Sequence, residues 1–243
     1  MIFSFENSGI ETEVSFTEDN INEIFIPLLK RLTAMQKTKG ARILVMLAAP
    51  PGAGKSTLAG FLEYLSKNTA GITPVTVIGM DGFHRRQEYL ISHSVIRDGR
   101  EIQMVKIKGA PVTFDLEVLT EHIARVASGK ICGWPEYNRM LHNPVDSART
   151  VDGEIVLLEG NYLLLEEDGW NKLRSYADYT IGIIAKENIL RERFVARKIA
   201  SGATQEEAES FVEFSDMHNV RTCLAESVRA DLMLRLKDDG SFA

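Results

Sequence analysis

Cysteine is scarce in this chain of 243 residues, which contains only Cys132 and Cys223. Two cysteines in a sequence of this length exclude a disulfide framework and are typical of proteins in a reducing compartment. Packed, inert thiols are therefore a better interpretation than a reactive pair. We expect a cytoplasmic protein.

Long apolar runs are also lacking. No segment approaches the ~20 apolar residues that a transmembrane helix needs. Residues 1–14 lack a basic segment followed by an apolar core, so no secretory signal peptide is expected. The sequence predicts no membrane partner.

An excess of positive charge is absent as well, because the formal net charge is −6. This balance disfavours nucleic acid as a partner, although basic residues gathered in one cleft would suit an anionic ligand. No linker rich in proline, glycine or serine divides the chain, so we predict a single domain over residues 1–243.

What the chain does contain is an alternation of short apolar runs and amphipathic segments. The first predicted helix spans 17–38 and contains Pro27. A capping box formed by Thr204 and Glu207 predicts the start of a later helix. The alternation predicts an α/β fold, a doubly wound parallel five-stranded sheet with helices on both faces. The predicted strands are 42–49, 75–79, 154–158, 179–185 and 231–236.

The predicted domain has four parts. The helix at 17–38 precedes a phosphate-binding core at 40–82. Residues 83–150 are interpreted as an insertion on the acceptor side, with a helix at 115–128 and a long loop at 130–150. Residues 151–243 complete the core and carry a lid at 187–202.

The strongest motif is APPGAGKST at residues 49–57, between a predicted strand and a predicted helix. It matches the P-loop pattern G-x-x-x-x-G-K-[ST], with Ala49 in place of the first glycine, which is tolerable if its φ is negative. Such a loop binds phosphate through backbone N–H groups and the helix N-terminus. We expect Lys55 to reach the β- and γ-phosphates and Ser56 to hold Mg²⁺. The predicted nucleotide-binding residues are Pro51, Gly52, Ala53, Gly54, Lys55, Ser56 and Thr57.

Two carboxylates follow predicted strands, Asp81 after the second and Glu159 after the third. Ligands of open α/β sheets bind at these strand ends, so both face the phosphate loop. We interpret Asp81 as the base for an acceptor hydroxyl and Glu159 as the metal-side carboxylate. An exchange of the two roles, or a purely structural role such as pairing with Lys55, stays open.

An arginine-rich helix, RERFVARK at 191–198, carries Arg193 and Arg197 one turn apart. Arginines on a mobile lid can neutralise the transferring phosphoryl group and exclude water. A solvated helix face is the alternative. The position after the fourth strand of a P-loop protein favours the lid, and both arginines are counted as catalytic.

Together these motifs resemble the phosphoribulokinase/uridine kinase family, and within it bacterial pantothenate kinases and fructose transport system kinases. The resemblance spans about residues 40–236 and rests on motifs in a fixed order. They are PPGAGKST at 50–57, MDGFH at 80–84, KGAPVTFD at 108–115, PEYNR at 135–139, LLEGNYLLL at 157–165 and LRERFVARK at 190–198.

The resemblance implies a P-loop kinase that uses ATP and Mg²⁺. It implies that Asp81 contacts the acceptor hydroxyl and that Lys108 binds acceptor or phosphate. Ile107 stands where relatives carry a second basic residue, which disfavours a bidentate contact. Asn161 and Tyr162 are implied to lie near metal and acceptor. A homodimer is compatible with the family.

Further acceptor-side candidates follow from their position in the insertion. His84 and Arg85 follow Asp81 by three and four residues and, with Arg86, suit a phosphate or carboxylate on the acceptor, although a structural role for His84 is an equally good interpretation. Tyr137 and Arg139 lie in the predicted long loop, where anchoring of the loop is an equally good interpretation.

The motifs predict an ATP-dependent kinase that phosphorylates a hydroxyl of a small metabolite, such as a sugar, a nucleoside or a pantothenate-like acceptor. A regulatory P-loop NTPase that acts through a protein partner is the alternative. The inserted segment 83–150 favours an enclosed acceptor pocket and hence the kinase.

Overall fold

A computed structural model describes residues 1–7 and 10–243. Its strands are β1 (Ile2–Asn7), β2 (Ile10–Ser15), β3 (Ile43–Ala48), β4 (Val75–Gly79), β5 (Ser94–Arg97), β6 (Arg100–Gln103), β7 (Cys132–Asn138), β8 (Asn143–Val151), β9 (Ile155–Gly160), β10 (Tyr179–Ile184) and β11 (Leu232–Arg235). Its α-helices are α1 (Ile26–Lys39), α2 (Lys55–Asn68), α3 (Gln87–Ser92), α4 (Leu116–Ala127), α5 (Glu187–Ala200), α6 (Gln205–Phe211) and α7 (Met217–Glu226).

Five parallel strands form the central sheet in the order β11-β10-β3-β9-β4. The strands are those that the apolar runs predict. Because β3 is the middle strand, the loop that follows it emerges at the centre of the carboxyl edge of the sheet. Parallel strands joined by helices place all such loops at this edge.

The sheet is covered on both faces, which explains the continuous apolar runs of its strands. Along β3, Ile43, Val45 and Leu47 point into a core shared with α1, α2, α5 and α7. Leu44 and Met46 point into the opposite core, which contains α4 and the buried rings of the insertion. The predicted doubly wound α/β architecture is confirmed.

The N-terminal helical segment starts with a π-helical turn at Asn20–Phe25 and continues as α1, with Pro27 in the first turn of the α-helix. Proline fits there because the first N–H groups of a helix have no intrahelical partner. Gly40 ends α1 at a left-handed φ of 65°. Helical structure therefore extends over Asn20–Lys39, close to the predicted 17–38, and continues through Pro27.

The predicted long loop at 130–150 is wrong, because most of it forms the antiparallel hairpin β7–β8. Pro135 and Pro144 suggested turns. They are accommodated because a two-stranded ribbon has free edges and because the register shifts between Trp134 and Glu136. The hairpin packs on the turn at Met80–Phe83, where a Cβ on Gly82 would lie 2.0 Å from the Pro135 carbonyl oxygen.

The N-terminal strands β1 and β2 form a separate antiparallel hairpin beside α2. Its aromatic side chains join a cluster on that helix. The ring of Phe16 stacks on Phe61 at a centroid distance of 4.2 Å, and Phe3 contacts Phe61 and Tyr64 at 5.2 and 5.3 Å. The hairpin is thus fixed against the helix that follows the phosphate loop. Within the described residues, no helix has the length and apolarity required to cross a membrane.

Candidate active site

The phosphate loop lies between β3 and α2, as the motif predicts. Gly52 and Gly54 adopt left-handed φ values of 80° and 84°, which only glycine adopts readily. Ala49 does not have a positive φ, so its substitution for the first glycine of the pattern is harmless. Helix α2 begins at Lys55, and its N-terminal N–H groups face the space above the loop.

Helix α5, which carries the arginines of the predicted lid, contacts this loop. Phe194 is buried against Gly52, where a Cβ would lie 3.0 Å from the ring. Arg193 donates from Nη1 to the Gly52 carbonyl oxygen at 3.1 Å. Arg197 lies over the Phe194 ring at 4.9 Å from its centroid. The two predicted lid arginines are therefore placed beside the phosphate loop, on exposed positions of α5.

Glu159 is the penultimate residue of β9 and lies next to the start of α2. Ser56 donates from Oγ to Glu159 Oε1 at 2.8 Å, and Lys55 Nζ is 3.9 Å from Oε2. Burial raises the pKa of Glu159, Lys55 opposes this shift, and the charge of Asp81 adds to it.

The second oxygen of Glu159 fits a cation. Oε2 is buried and has no hydrogen-bond partner among the described residues. A hard divalent cation satisfies such an oxygen, and the Ser56 hydroxyl is a second oxygen ligand beside it. Since the described residues contain no cluster of three or more acidic, histidine or cysteine ligands, nucleotide oxygens and water would supply the remaining ligands.

Asp81 is exposed to a cavity of about 530 Å³ that opens beside Ser56 and Glu159. This cavity, called here the acceptor cavity, has the size of a small-molecule site. Tyr137 and Arg139 of the insertion, two of the acceptor-side candidates, line it. The cavity therefore joins the carboxylate that we interpret as the base to the metal-side residues.

Lys108 lies behind Tyr137 and organises the insertion. Its Nζ donates to Gln87 Oε1, to the Tyr137 hydroxyl and to the His142 carbonyl oxygen, at 2.8, 2.7 and 3.1 Å. Burial lowers the pKa of this lysine. Its charge fixes the position of the Tyr137 ring, over which it lies at 4.8 Å.

His84 is half-buried behind Asp81. Its ring stacks on Phe114 at 3.9 Å and meets Tyr137 edge-on at 5.4 Å. Burial lowers the pKa of His84, while the charge of Asp81 opposes the shift. Nδ1 is buried and finds no hydrogen-bond partner in the part of the chain that is described. The ring also lines a second cavity, of about 470 Å³.

Two predicted acceptor residues, Arg85 and Tyr162, are not among the described residues that line the acceptor cavity. Arg85 lines the second cavity, where it pairs with Asp115 at 3.4 Å and lies over the Tyr89 ring, because the turn after Asp81 directs it away from the acceptor cavity. Tyr162 is fully buried, and its hydroxyl donates to the Gly109 carbonyl oxygen at 2.6 Å. Its large ring fills the core instead of reaching a ligand.

Asn161 is buried at the end of β9, and its Oδ1 has no hydrogen-bond partner among the described residues. Its backbone carbonyl accepts a hydrogen bond from Cys223 Sγ at 3.5 Å. It is not among the residues that the described structure places on the acceptor cavity wall.

Sequence reasoning missed one wall of the acceptor cavity, the face of α2 that carries Gly60, Glu63, Tyr64 and Lys67. These residues follow Ser56 at steps of three and four, the spacing of one helix face. That spacing was a usable signal. Phe3 and Arg149 also line the cavity, but they come from distant hairpins that no local pattern joins to the site.

A P-loop at the centre of a parallel sheet, a paired serine and carboxylate, and an arginine helix against the loop define a P-loop kinase. The model of the phosphoribulokinase/uridine kinase family matches residues 44–236. The chain belongs to this family of small-molecule kinases, whose members use ATP with Mg²⁺.

Several relatives extend over most of the chain. It is 38% identical to the uncharacterized protein YggC of Escherichia coli, over 97% of this chain and 95% of the relative. It is 26% identical to a pantothenate kinase of Shewanella sp. strain MR-4, over 86% of this chain and 71% of the relative. The chain also matches a crystal structure from Silicibacter sp. TM1040, a protein provisionally named a fructose transport system kinase. The TM-score is 0.71 and the identity 28%, over 83% of this chain and 98% of the other.

Proposed function

We propose that this protein transfers the γ-phosphoryl group of ATP to a hydroxyl of a small metabolite bound in the acceptor cavity. The observation that carries the proposal is the opening of one cavity onto Asp81, Ser56 and Glu159 together. A carboxylate that accepts the proton of the attacking hydroxyl and a metal-side pair meet there, as phosphoryl transfer requires.

Each residue has a role in this scheme. Ser56 and Glu159 would hold Mg²⁺, which when bound would supply positive charge to the phosphoryl oxygens. Lys55 contacts the β- and γ-phosphates from the start of α2. Arg193 and Arg197 turn from their contacts on the loop toward the transferring group when the lid closes. Asp81 orients the acceptor hydroxyl and takes its proton.

The acceptor side is formed by the insertion. Tyr137 and Arg139 contact the acceptor, and Lys108 positions Tyr137 through the hydroxyl contact of 2.7 Å. His84 supports Asp81 from behind. Asn161 offers its buried, unpartnered amide oxygen from the end of β9. We place the reaction in the cytoplasm, since Cys132 and Cys223 are both free thiols.

Acceptor-stimulated release of ADP tests this function. Wild-type protein with Mg·ATP is assayed alone and then with sugars, nucleosides, pantothenate and vitamin alcohols. We expect one acceptor to stimulate ADP release and to yield a product heavier by one phosphoryl group in mass spectrometry. Steady ADP release that no acceptor changes would support the regulatory NTPase instead.

A further inference from the structure

The acceptor cavity continues far beyond Asp81. On α2 its lining runs from Ser56 to Asn68, and Tyr64 already lies eight residues beyond Ser56, about 12 Å along the helix axis. An acceptor that only reaches from the phosphate loop to Asp81 leaves this outer half unfilled. We call the outer half, lined by Phe3, Gly60, Glu63, Tyr64, Lys67, Asn68 and Arg149, the distal subsite.

Aromatic faces form one side of the distal subsite. Tyr64 is 42% exposed although its ring packs on Phe61, and Phe3 lies 5.3 Å from it with the rings tilted by 45°. Gly60 precedes Tyr64 by one turn in the middle of α2. Glycine costs a helix about 1 kcal/mol relative to alanine, and at this position it adds no side chain to the cavity wall.

The charged groups of the distal subsite are already paired with one another. Glu63 accepts hydrogen bonds from Lys67 and Arg149, both at 3.0 Å, and Arg149 is also 4.0 Å from Glu136. A charged ligand group would compete with these pairs, whereas a flat uncharged group can lie on the aromatic rings and leave the pairs intact.

Phe3 belongs to the hairpin β1–β2, outside the residues 44–236 that match the family. The region shared with the family therefore does not include the wall of the distal subsite that Phe3 forms. The contacts of Phe3 with Phe61 and Tyr64 hold the hairpin against α2 at the far end of the cavity.

We propose that the distal subsite binds an uncharged planar ring of the acceptor, and that the N-terminal hairpin completes it through Phe3. The proposal rests on the proposed function, because it takes the hydroxyl-bearing part of the same molecule to lie at Asp81. It makes Tyr64 and Phe3 determinants of acceptor specificity.

Binding is tested without turnover by saturation-transfer NMR with uridine, pyridoxine and ribose. Uridine and ribose share a hydroxymethyl pentose and differ by the planar ring. We expect saturation of the ring protons of uridine or pyridoxine and weaker binding of ribose. Tyr64→Ala should weaken binding of the ring compound about three- to tenfold, and Phe3→Ala should act in the same direction.

Two further variants control for indirect effects. Tyr64→Phe keeps the ring and should bind as the wild type does. Phe211→Ala removes a ring that is also 42% exposed, on α6, and should leave binding unchanged. Thermal unfolding confirms that each variant is folded. Equal binding of uridine, pyridoxine and ribose, or the same affinity in Tyr64→Ala as in the wild type, would overturn the proposal.

Turnover separates the two proposals. If an acceptor is phosphorylated, its KM should rise in Tyr64→Ala while the KM of ATP stays constant. If the phosphorylated acceptor lacks a planar ring, or if its KM is the same in Tyr64→Ala as in the wild type, the distal-subsite proposal is overturned. The kinase proposal is unaffected by that result. Ring binding that depends on Tyr64, without any acceptor-stimulated ADP release, supports the subsite and contradicts the kinase.

Discussion

At the residue scale, the site combines groups whose surroundings give them different properties. Glu159 is buried beside Ser56 and Lys55, whereas Asp81 is exposed to the acceptor cavity. The buried carboxylate with an unpartnered oxygen suits a metal ion, and the accessible one suits a proton transfer from a ligand. This difference in placement favours the assignment of Asp81 as base over an exchange of roles.

Replacing Asp81 tests that assignment. Asp81→Asn should lower kcat by about 100- to 10,000-fold because the amide cannot accept the hydroxyl proton. The dissociation constant of Mg·ATP, measured by calorimetry, should stay unchanged. Asp146→Asn, which changes an exposed carboxylate paired with Arg86, is the control and should keep full activity. Loss of nucleotide binding in Asp81→Asn would instead place Asp81 at the metal.

Lys108 predicts a pH dependence on the acceptor side. Burial lowers its pKa below the ordinary value of 10.5, so its positive charge is present at lower pH and is lost as the pH rises through the lowered pKa. We expect kcat/KM for the acceptor to fall at alkaline pH, before an ordinary lysine would titrate. Lys108→Arg stays charged and should move this fall to higher pH. Identical alkaline profiles of the two proteins would exclude Lys108 as its cause.

At the element scale, local sequence patterns predicted what local interactions determine. The five strands, the P-loop and the helix cap at Thr204 all depend on neighbouring residues. The hairpin β7–β8 was missed because its pairing joins residues whose prolines suggested turns. The hairpin β1–β2 and the wall contributed by Phe3 depend on contacts between segments distant in sequence, which periodicity does not show.

The contact between α5 and the phosphate loop gives a prediction of its own. Gly52→Ala adds a Cβ 3.0 Å from Phe194 at a left-handed φ of 80°. We expect about 1 kcal/mol of backbone strain, and in addition a raised KM for ATP because loop or lid must shift. Enzyme kinetics and thermal unfolding measure the two effects.

Gly40→Ala is the matched control for this variant. Gly40 also has a left-handed φ, of 65°, but no heavy atom counted at this position lies within 4 Å of an added Cβ in the described structure. It should lose similar stability while its KM for ATP stays as in the wild type. Equal kinetics in both variants would show that the Phe194 contact is irrelevant to nucleotide binding.

At the scale of the whole molecule, segments outside the central sheet hold the chain together. Asn20, in the π-helical turn before α1, is buried and bonds the backbone of Phe242 in both directions. Its Nδ2 donates to the Phe242 carbonyl oxygen, and the Phe242 N–H donates to its Oδ1, both at 2.8 Å. These two hydrogen bonds join residues separated by more than 220 positions in the sequence, and no sequence pattern predicted them.

Removing that pair should destabilise the fold without touching the site. Asn20→Ala leaves two buried backbone groups of Phe242 unsatisfied, at a cost of about 2–4 kcal/mol in unfolding free energy. The melting temperature should fall by about 4–12 °C. Gln205→Ala, which removes an exposed hydrogen bond to Glu209, should change it little. An unchanged melting temperature in Asn20→Ala would show that this contact contributes nothing to stability.

The fate of the γ-phosphoryl group tests the central claim most directly. Wild-type protein is incubated with γ-labelled ATP, Mg²⁺ and the acceptor panel, and the label is followed by chromatography. We predict label on one organic acceptor, and none when Lys55→Ala replaces the wild type, because the phosphates lose their lysine contact. Label that appears only as inorganic phosphate, or undiminished transfer by Lys55→Ala, would contradict the account.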